Sequence, residues 1–230
     1  MGINERRERE KIERRRAILN CARELILTQG IEKVSMEDIA LKAELSKATL
    51  YLYFPGKEVI FNEICEESAR VFLEHFKPML GSMYTGLDAM RMFWRGYNNL
   101  FGNSGEMILV FKIRNFLNPG QPFISMEEYG KSQNVEAILE TLKTIIDRCK
   151  SDGIFDPGLD SETATRLLLS LFSNFVDNAA RTGSAVQKTA NTSKEKQSFQ
   201  EELIKSFQII LYGFAKEGLD RSLLNIKNLY

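Results

Sequence analysis

The chain has 230 residues, of which 43% are hydrophobic and 27% charged, with five prolines. This is the composition of an ordered globular protein that is long enough to bury a core. It contains no apolar run that could span a bilayer, and the charged N-terminus lacks the apolar segment of a signal peptide, so we expect a cytoplasmic protein. Three widely separated cysteines exclude a disulfide framework or a zinc site, and we expect Cys21 and Cys65 to be buried free thiols.

Charge is distributed unevenly along the chain. The 31 basic and 31 acidic residues cancel, yet residues 1–16 hold seven basic and four acidic side chains, a net charge of +3. Ion pairs four residues apart, such as Glu5 with Arg9, are typical of a solvated helix. A basic arm that contacts phosphates is the alternative, and charge alone leaves both interpretations open.

The first 56 residues are predicted to form three helices. The first has an apolar face and ends at Gly30. Ser35 with Asp38 three positions later predicts a capping box at the start of the second helix. Ser46 begins a third helix, which stops before Pro55 because the residue preceding a proline is disfavoured in a helix. Two short helices joined by about three residues have the spacing of a helix-turn-helix. The apolar face of the first helix comprises Ile18, Cys21, Ala22, Leu25 and Ile26.

The third helix carries an unusual set of side chains in the stretch SKATLYLYFPGK, residues 46–57. The second helix of a helix-turn-helix enters the major groove, so its outward side chains face bases and phosphates. Leu50 is the expected inward anchor, and the hydroxyl and cationic groups around it suit phosphate oxygens. Ordinary packing explains any single tyrosine here, but it explains the whole set less well. The predicted DNA-binding residues are Ser35, Ser46, Lys47, Ala48, Thr49, Tyr51, Tyr53 and Lys57.

Residues 15 to 62 resemble the DNA-binding domain of TetR-family (tetracycline-repressor-like) transcriptional regulators. The resemblance covers about a fifth of the chain and includes the helix RRAILNCAREL, the turn at Gly30 and the motif SKATLYLYF followed by Lys57. It implies a helix-turn-helix from about Ser35 to Phe54, a homodimer, and a C-terminal effector domain. A weaker resemblance at residues 152–168 implies a turn that precedes a helix of the dimer interface.

Two positions depart from the family's pattern. Glu44 stands where glycine is usual in the turn, and a non-glycine residue with positive φ costs about 1 kcal/mol. Either the turn differs, therefore, or its neighbours compensate. Tyr53 stands where histidine is common, and a phenol donates to phosphate without becoming cationic. Neither departure changes the predicted fold.

The region from Met90 to Phe116 is dense in aromatic residues and methionine. Core packing is the simpler interpretation. The alternative is a cavity for an apolar ligand, since such cavities combine aromatic and methionine side chains with a few polar groups. The predicted pocket residues are Met90, Trp94, Tyr97, Asn98, Phe111 and Phe175.

The last two predicted helices have broad apolar faces, separated by a polar loop over residues 183–198. Pairing with a twofold mate would give a four-helix interface, although packing within one chain explains the same faces and the two can coexist. The predicted dimer-interface residues are Leu168, Phe172, Phe175, Phe207, Ile210 and Phe214.

We therefore expect an all-α protein with a DNA-binding domain at residues 1–56 and an effector-binding and dimerisation domain at residues 57–230. The expected function is a dimeric repressor that a small, mostly apolar effector releases from palindromic DNA. We expect no enzyme, metal or cofactor, because the chain has a single histidine and no phosphate-binding glycine loop. Two alternatives remain: a DNA-binding dimer gated by a protein partner or acting without effector, and a helical carrier or interaction protein that lacks DNA binding.

Overall fold

The computed structural model describes residues 2–76, 84–99, 105–117, 133–171 and 193–225. The predicted all-α architecture is confirmed within these ranges, which add two 3-10 turns and one isolated antiparallel bridge between Phe155 and Ala215. None of their helices is long and apolar enough to cross a membrane. The helices are α1 (Ile3–Gln29), α2 (Met36–Lys42), α3 (Lys47–Tyr53), α4 (Lys57–Phe76), α5 (Gly86–Asn99), α6 (Glu106–Leu117), α7 (Gln133–Ser151), α8 (161–171) and α9 (Ser193–Phe214).

The first three helices begin and end where local chemistry requires. Gly30 closes α1 with φ 89°, a conformation that glycine adopts without strain. The side chain of Ser46 caps α3, and Phe54 ends it in extended backbone with φ −142°, as the following proline demands. The three helices share a core in which each of the following residues is fully buried: Ile18, Ala22, Ile26, Ile39, Leu50 and Phe54. Burial of each such large aliphatic or aromatic side chain contributes about 1.5–3 kcal/mol.

Helix α4 connects this three-helix unit to the rest of the described chain and packs against α5, α6 and α7. Its apolar stripe meets aromatic rings on two neighbours. Phe61 packs edge-to-face on Phe116 of α6 at 5.6 Å between ring centroids, and Phe72 packs likewise on Phe93 of α5 at 5.5 Å. The predicted domain boundary at residue 56 coincides with the start of α4 and stays a prediction.

The C-terminal end of α9 is tied to the turn after α7. The amide of Asp156 donates to the carbonyl of Phe214 at 2.9 Å, and the amide of Lys216 donates to the carbonyl of Ile154 at 3.0 Å. The sequence predicts a loop over residues 183–198. This prediction is wrong for the last six of these residues, because α9 begins at Ser193. The polar residues that suggested a loop include good helix formers such as lysine and glutamate.

Of the two cysteines that were expected to be buried, Cys65 is buried and Cys21 is not. Cys65 is buried in α4, and burial raises the pKa of its thiol to about 12. The same holds for Cys149 in α7, whose pKa burial also raises to about 12. Cys21 is only half-buried, with its Sγ 3.6 Å from the carbonyl oxygen of Lys42, so the expectation was wrong there. It lies at the edge of the apolar face of α1.

Helices α5 and α7 approach each other most closely at Gly86. A Cβ added at this position would lie 2.7 Å from the backbone carbonyl carbon of Arg148 and closer still to the amide nitrogen of Cys149. The amide of Gly86 also donates to the carboxylate of Asp152 at 2.6 Å. The helix crossing therefore requires glycine.

We expect Gly86→Ala to lower the free energy of unfolding by about 1–3 kcal/mol, because the added methyl must push two backbones apart. Gly213→Ala is the matched control, since a Cβ there would meet nothing within 4 Å. Gly213 is the next-to-last residue of α9, where that change should leave stability unchanged or raise it by less than about 1 kcal/mol. Urea denaturation followed by circular dichroism measures both, and equal effects of the two variants would contradict the close crossing.

Candidate nucleic-acid interface

The turn between α2 and α3 is a Schellman motif. The amide of Leu45 donates to the carbonyl of Ala40 at 2.9 Å, and the amide of Glu44 donates to the carbonyl of Leu41 at 3.2 Å. Glu44 occupies the left-handed position with φ 55°. The usual turn is thus kept at a glutamate, and these two hydrogen bonds hold it although Glu44 has positive φ.

Two serine hydroxyls hold the ends of the helix-turn-helix. The Oγ of Ser35 accepts a hydrogen bond from the amide of Asp38 at 3.2 Å, and the amide of Ser35 donates back to the Asp38 carboxylate at 2.9 Å, which confirms the capping box. The hydroxyl of Ser35 also bonds that carboxylate and lowers its pKa. The Oγ of Ser46 accepts from the amide of Thr49 at 3.0 Å and lies 2.7 Å from its hydroxyl. The two caps fix the residues at which α2 and α3 begin.

Helix α3 separates an inner from an outer face. Leu50 is fully buried, as predicted, while Tyr51 is 46% exposed and Leu52 is 83% exposed. Lys47 and Ala48 are exposed beside them. The outer face therefore carries a cation, a phenol and an aliphatic side chain. Sequence reasoning did not select Leu52, although its place between the two tyrosines of LYLY was a signal for an outward position.

A carboxylate accompanies the cation of this outer face. Glu37, in the first turn of α2, forms an ion pair with the ammonium of Lys47 and raises its pKa. Glu37 is not recognisable from sequence, because ten residues separate it from Lys47 and the pair exists only once the turn has formed. Lys47 is therefore directed along α2 in the absence of DNA.

Lys57 lies at the junction between the helix-turn-helix and α6. Its Nζ donates to the carbonyl of Val34 at 3.3 Å and stands 5.0 Å from the ring centroid of Phe116. Its predicted contact with phosphate stays a prediction, and two further ammonium hydrogens are available for it.

Arg15 of α1 joins three helices. Its Nη1 donates to the carbonyl of Tyr53, the last residue of α3, at 2.9 Å, and its Nε donates to Glu63 of α4 at 2.8 Å. Its guanidinium carbon lies 4.0 Å from the ring centroid of Phe54. A second pair between α1 and α4 joins Arg23 and Glu67 at 2.6 Å. The side chain of Tyr53 is half-buried in this arrangement.

The predicted pocket residues that the structure describes lie in the core. Met90, Trp94 and Phe111 are buried, and the Trp94 ring stacks on Phe207 at 4.4 Å between centroids, with an interplanar angle of 13°. The side chains of Tyr97 and Asn98, and the whole of Phe175, fall outside the described residues. The cavity stays a prediction.

The predicted interface residues are divided by burial. Leu168 and Phe207 have no exposed surface in a single chain, and Phe214 is 6% exposed, so these residues form the core of one protomer. Ile210 is half-buried. Phe172 and Phe175 lie outside the described residues. Among the side chains that the structure describes in α8 and α9, the exposed large apolar residues are instead Leu167 and Ile209, at 49% and 68% exposure. The apolar faces that sequence periodicity predicts for these helices are broad, so periodicity alone cannot tell a core residue from a surface residue.

Residues 18–64 match the model of a known family, described as "Bacterial regulatory proteins, tetR family". A curated relative is the HTH-type transcriptional regulator EthR of Mycolicibacterium smegmatis, 30% identical over 94 residues, which are 41% of this chain and 42% of that protein. The chain therefore spans less than half the length of this relative. Among the described residues, no group of histidine, cysteine or carboxylate side chains is placed to hold a metal ion.

Two solved structures share the fold. The fatty acid degradation regulator FadR from Bacillus halodurans aligns with a TM-score of 0.62 and 18% identity, over 90% of this chain and 96% of that one. AibR, solved in complex with isovaleryl coenzyme A and operator DNA, aligns with a TM-score of 0.58 and 22% identity, over 71% of this chain and 86% of that one. Both alignments extend the similarity in fold well beyond the family-model match.

The left-handed position of Glu44 predicts a stabilising substitution. Glu44→Gly should raise the free energy of unfolding by about 1 kcal/mol, because glycine adopts positive φ without the Cβ clash. Glu44→Ala removes the same carboxylate but keeps the Cβ, and should leave stability nearly unchanged or lower it. Chemical denaturation of both variants checks this, and an equal gain from the two would show that the carboxylate, rather than the backbone, is responsible.

Proposed function

We propose that this chain, which belongs to the TetR family of bacterial regulatory proteins, is a dimeric transcriptional repressor released from palindromic operator DNA by a small, mostly apolar effector. The observation that carries the proposal is the outer face of α3, where Lys47, Tyr51 and Leu52 are exposed on a helix whose ends are capped and whose inner face is buried. A short helix presented in this way suits insertion into the major groove.

The outer face of α3 supplies two kinds of contact. The ammonium of Lys47 suits a base acceptor such as guanine O6 or N7, and the exposed Leu52 suits a thymine methyl group. The hydroxyl of Tyr51 is suited to a phosphate oxygen. Ser35, Ser46, Ala48, Thr49, Tyr53 and Lys57 complete the proposed DNA-binding set. Glu37 must release Lys47 or share it with the DNA, so this ion pair opposes binding.

The sensor function is proposed for the helices that follow α4. AibR, which shares this fold, was solved with isovaleryl coenzyme A and operator DNA together, so a protein of this fold can hold an acyl-coenzyme A and DNA. For the proposed effector, this chain offers large apolar side chains in α5 and α6. A dimer is proposed through α8 and α9, where Leu167 and Ile209 are exposed. The proposal includes a cytoplasmic location and no catalytic step.

The DNA-binding proposal predicts opposite effects from the two partners of one ion pair. Lys47→Gln should weaken binding to the DNA upstream of the protein's own gene and alter the preferred base at one position, because a contact with a base edge is lost. Glu37→Gln should strengthen binding, because it frees Lys47 and removes a negative charge near the phosphates.

Fluorescence anisotropy with labelled duplexes at several salt concentrations measures both changes. Arg70→Gln is the control, since it breaks an exposed ion pair with Glu74 of α4 and should leave operator affinity unchanged. A wild-type protein that binds every duplex equally at physiological salt, or does not bind DNA, would refute the proposed function. Equal weakening by the Lys47 and Glu37 substitutions would refute the assigned role of the pair.

The effector proposal rests on linkage between two sites. A compound that lowers operator affinity a hundredfold must prefer the released form by about 2.7 kcal/mol, and the operator must weaken binding of that compound by the same factor. Isovaleryl coenzyme A and free apolar acids are the first probes. The chain's one tryptophan, Trp94, is buried against Phe207, so its fluorescence should report occupancy of the core.

Titrations of each probe with and without operator give the coupling, and Trp94→Phe controls for signal that does not come from this site. A compound whose affinity is unchanged by DNA binds without regulating. If every compound that releases DNA leaves Trp94 fluorescence unaltered, the proposed location of the effector is wrong.

A further inference from the structure

The N-terminal half of α1 lies outside the part of the chain that matches the family model, which begins at residue 18. It is nevertheless helical, and every side chain from Asn4 to Arg14 is exposed. At a rise of about 1.5 Å per residue, residues 3–14 extend about 18 Å beyond Arg15. This length exceeds what the three-helix core needs, because the buried residues of α1 begin at Ile18.

The exposed extension has one face on which every charged residue is basic. With about 100° between successive residues, Arg7, Lys11 and Arg14 lie within about 40° of the direction of Ile18 and continue the stripe that is buried farther along α1. We call these three residues the basic ridge. The acidic residues of the extension lie about 80° or more from that direction; they are Glu5, Glu8, Glu10 and Glu13.

The position of the basic ridge follows from Arg15, the next residue along this side of α1. Because Arg15 bonds the carbonyl of Tyr53, α1 passes the C-terminal end of α3 at this point. The basic ridge therefore starts beside the end of the recognition helix and projects away from it. A duplex that holds α3 in its major groove has its sugar-phosphate backbone on both sides of that groove.

Ion pairs within the extension help to decide between a solvated helix and a basic arm that contacts phosphates. A merely solvated helix is expected to neutralise its cations through pairs four residues apart, and Arg6 does pair with Glu10 at 2.8 Å. In the described part of the chain, no side chain forms an ion pair or hydrogen bond with the basic ridge. The three cations of the basic ridge are exposed on one side of the helix and are therefore available to an anionic partner.

We propose that the basic ridge contacts the phosphate backbone of duplex DNA next to the half-site that α3 reads, and so lengthens the footprint of each protomer. This inference rests on the proposed function, since it requires that α3 bind DNA. The contact is electrostatic and carries no base preference, so it adds affinity without changing the sequence that is read.

The matched variants lie on opposite faces of one helix. The ridge variant carries Arg7→Gln, Lys11→Gln and Arg14→Gln, and the control variant carries Arg6→Gln, Arg9→Gln and Arg16→Gln. Each removes three positive charges from the same helix, and glutamine keeps its helix propensity. Circular dichroism and the effector response of both variants show whether the fold is intact.

The measurement is the salt dependence of binding to two duplexes from the protected DNA upstream of the gene, one that ends at the half-sites and one with about ten additional base pairs on each side. Each phosphate contact contributes about 0.9 to the slope of log affinity against log salt. On the long duplex, where each protomer of the dimer contributes three contacts, we expect the ridge variant to lose about 5.4 units of slope and the control variant much less. On the short duplex the ridge variant should match the wild type.

The outcomes separate this inference from the proposed function. If the wild type binds the operator but both variants lose equal slope, or the ridge variant is equally weakened on both duplexes, the basic ridge does not contact flanking phosphates while the repressor function stands. If the wild type does not bind either duplex specifically, the proposed function fails first. A hydroxyl-radical footprint that shrinks at both outer edges in the ridge variant alone supports the inference directly.

Discussion

The guanidinium of Arg15 makes the contacts on which the geometry of the reading head depends. The reading head is the unit formed by α1, α2 and α3. It reaches from α1 to the last carbonyl of α3 and to the carboxylate of Glu63 on α4, while its plane covers the ring of Phe54. A planar fork with five donors can satisfy these partners at once, which lysine cannot do. The recognition helix has only seven residues and would be marginal alone. Its orientation is therefore set by the helices on either side of it.

Local chemistry made most of this head predictable from sequence. Ser35 and Ser46 bond neighbours three residues away, so their roles as caps follow from pattern alone. The burial of Leu50 follows from its place on the inner face of a short helix. Glu44 could likewise be identified as the left-handed residue of the turn, and the structure adds the two hydrogen bonds that hold it there. The contacts of Arg15 and the pairing of Glu37 with Lys47 could not be predicted, because each requires segments brought together by folding.

The C-terminal half was less predictable for a physical reason. Its helices are apolar on more than one side, so periodicity could identify the helices without separating a core residue from an interface residue. Phe207 illustrates this, since it was predicted for a dimer surface and instead stacks on Trp94 inside one chain. Exposure identifies Ile209, two positions later, as the residue that points outward. Tertiary packing, rather than composition, decides between the two.

The same contacts constrain how a signal would reach the DNA under the proposed function. The pairs Arg15–Glu63 and Arg23–Glu67 join α1 to successive turns of α4, so the reading head and the first half of α4 are held as one body. A change in the packing of α5 or α6 against α4 would then tilt the head instead of deforming it. Lys57 adds a second connection, because its ammonium touches both the head at Val34 and the α6 ring of Phe116. In a twofold dimer, a small tilt of each head changes the separation of the two recognition helices, and operator affinity depends on that separation.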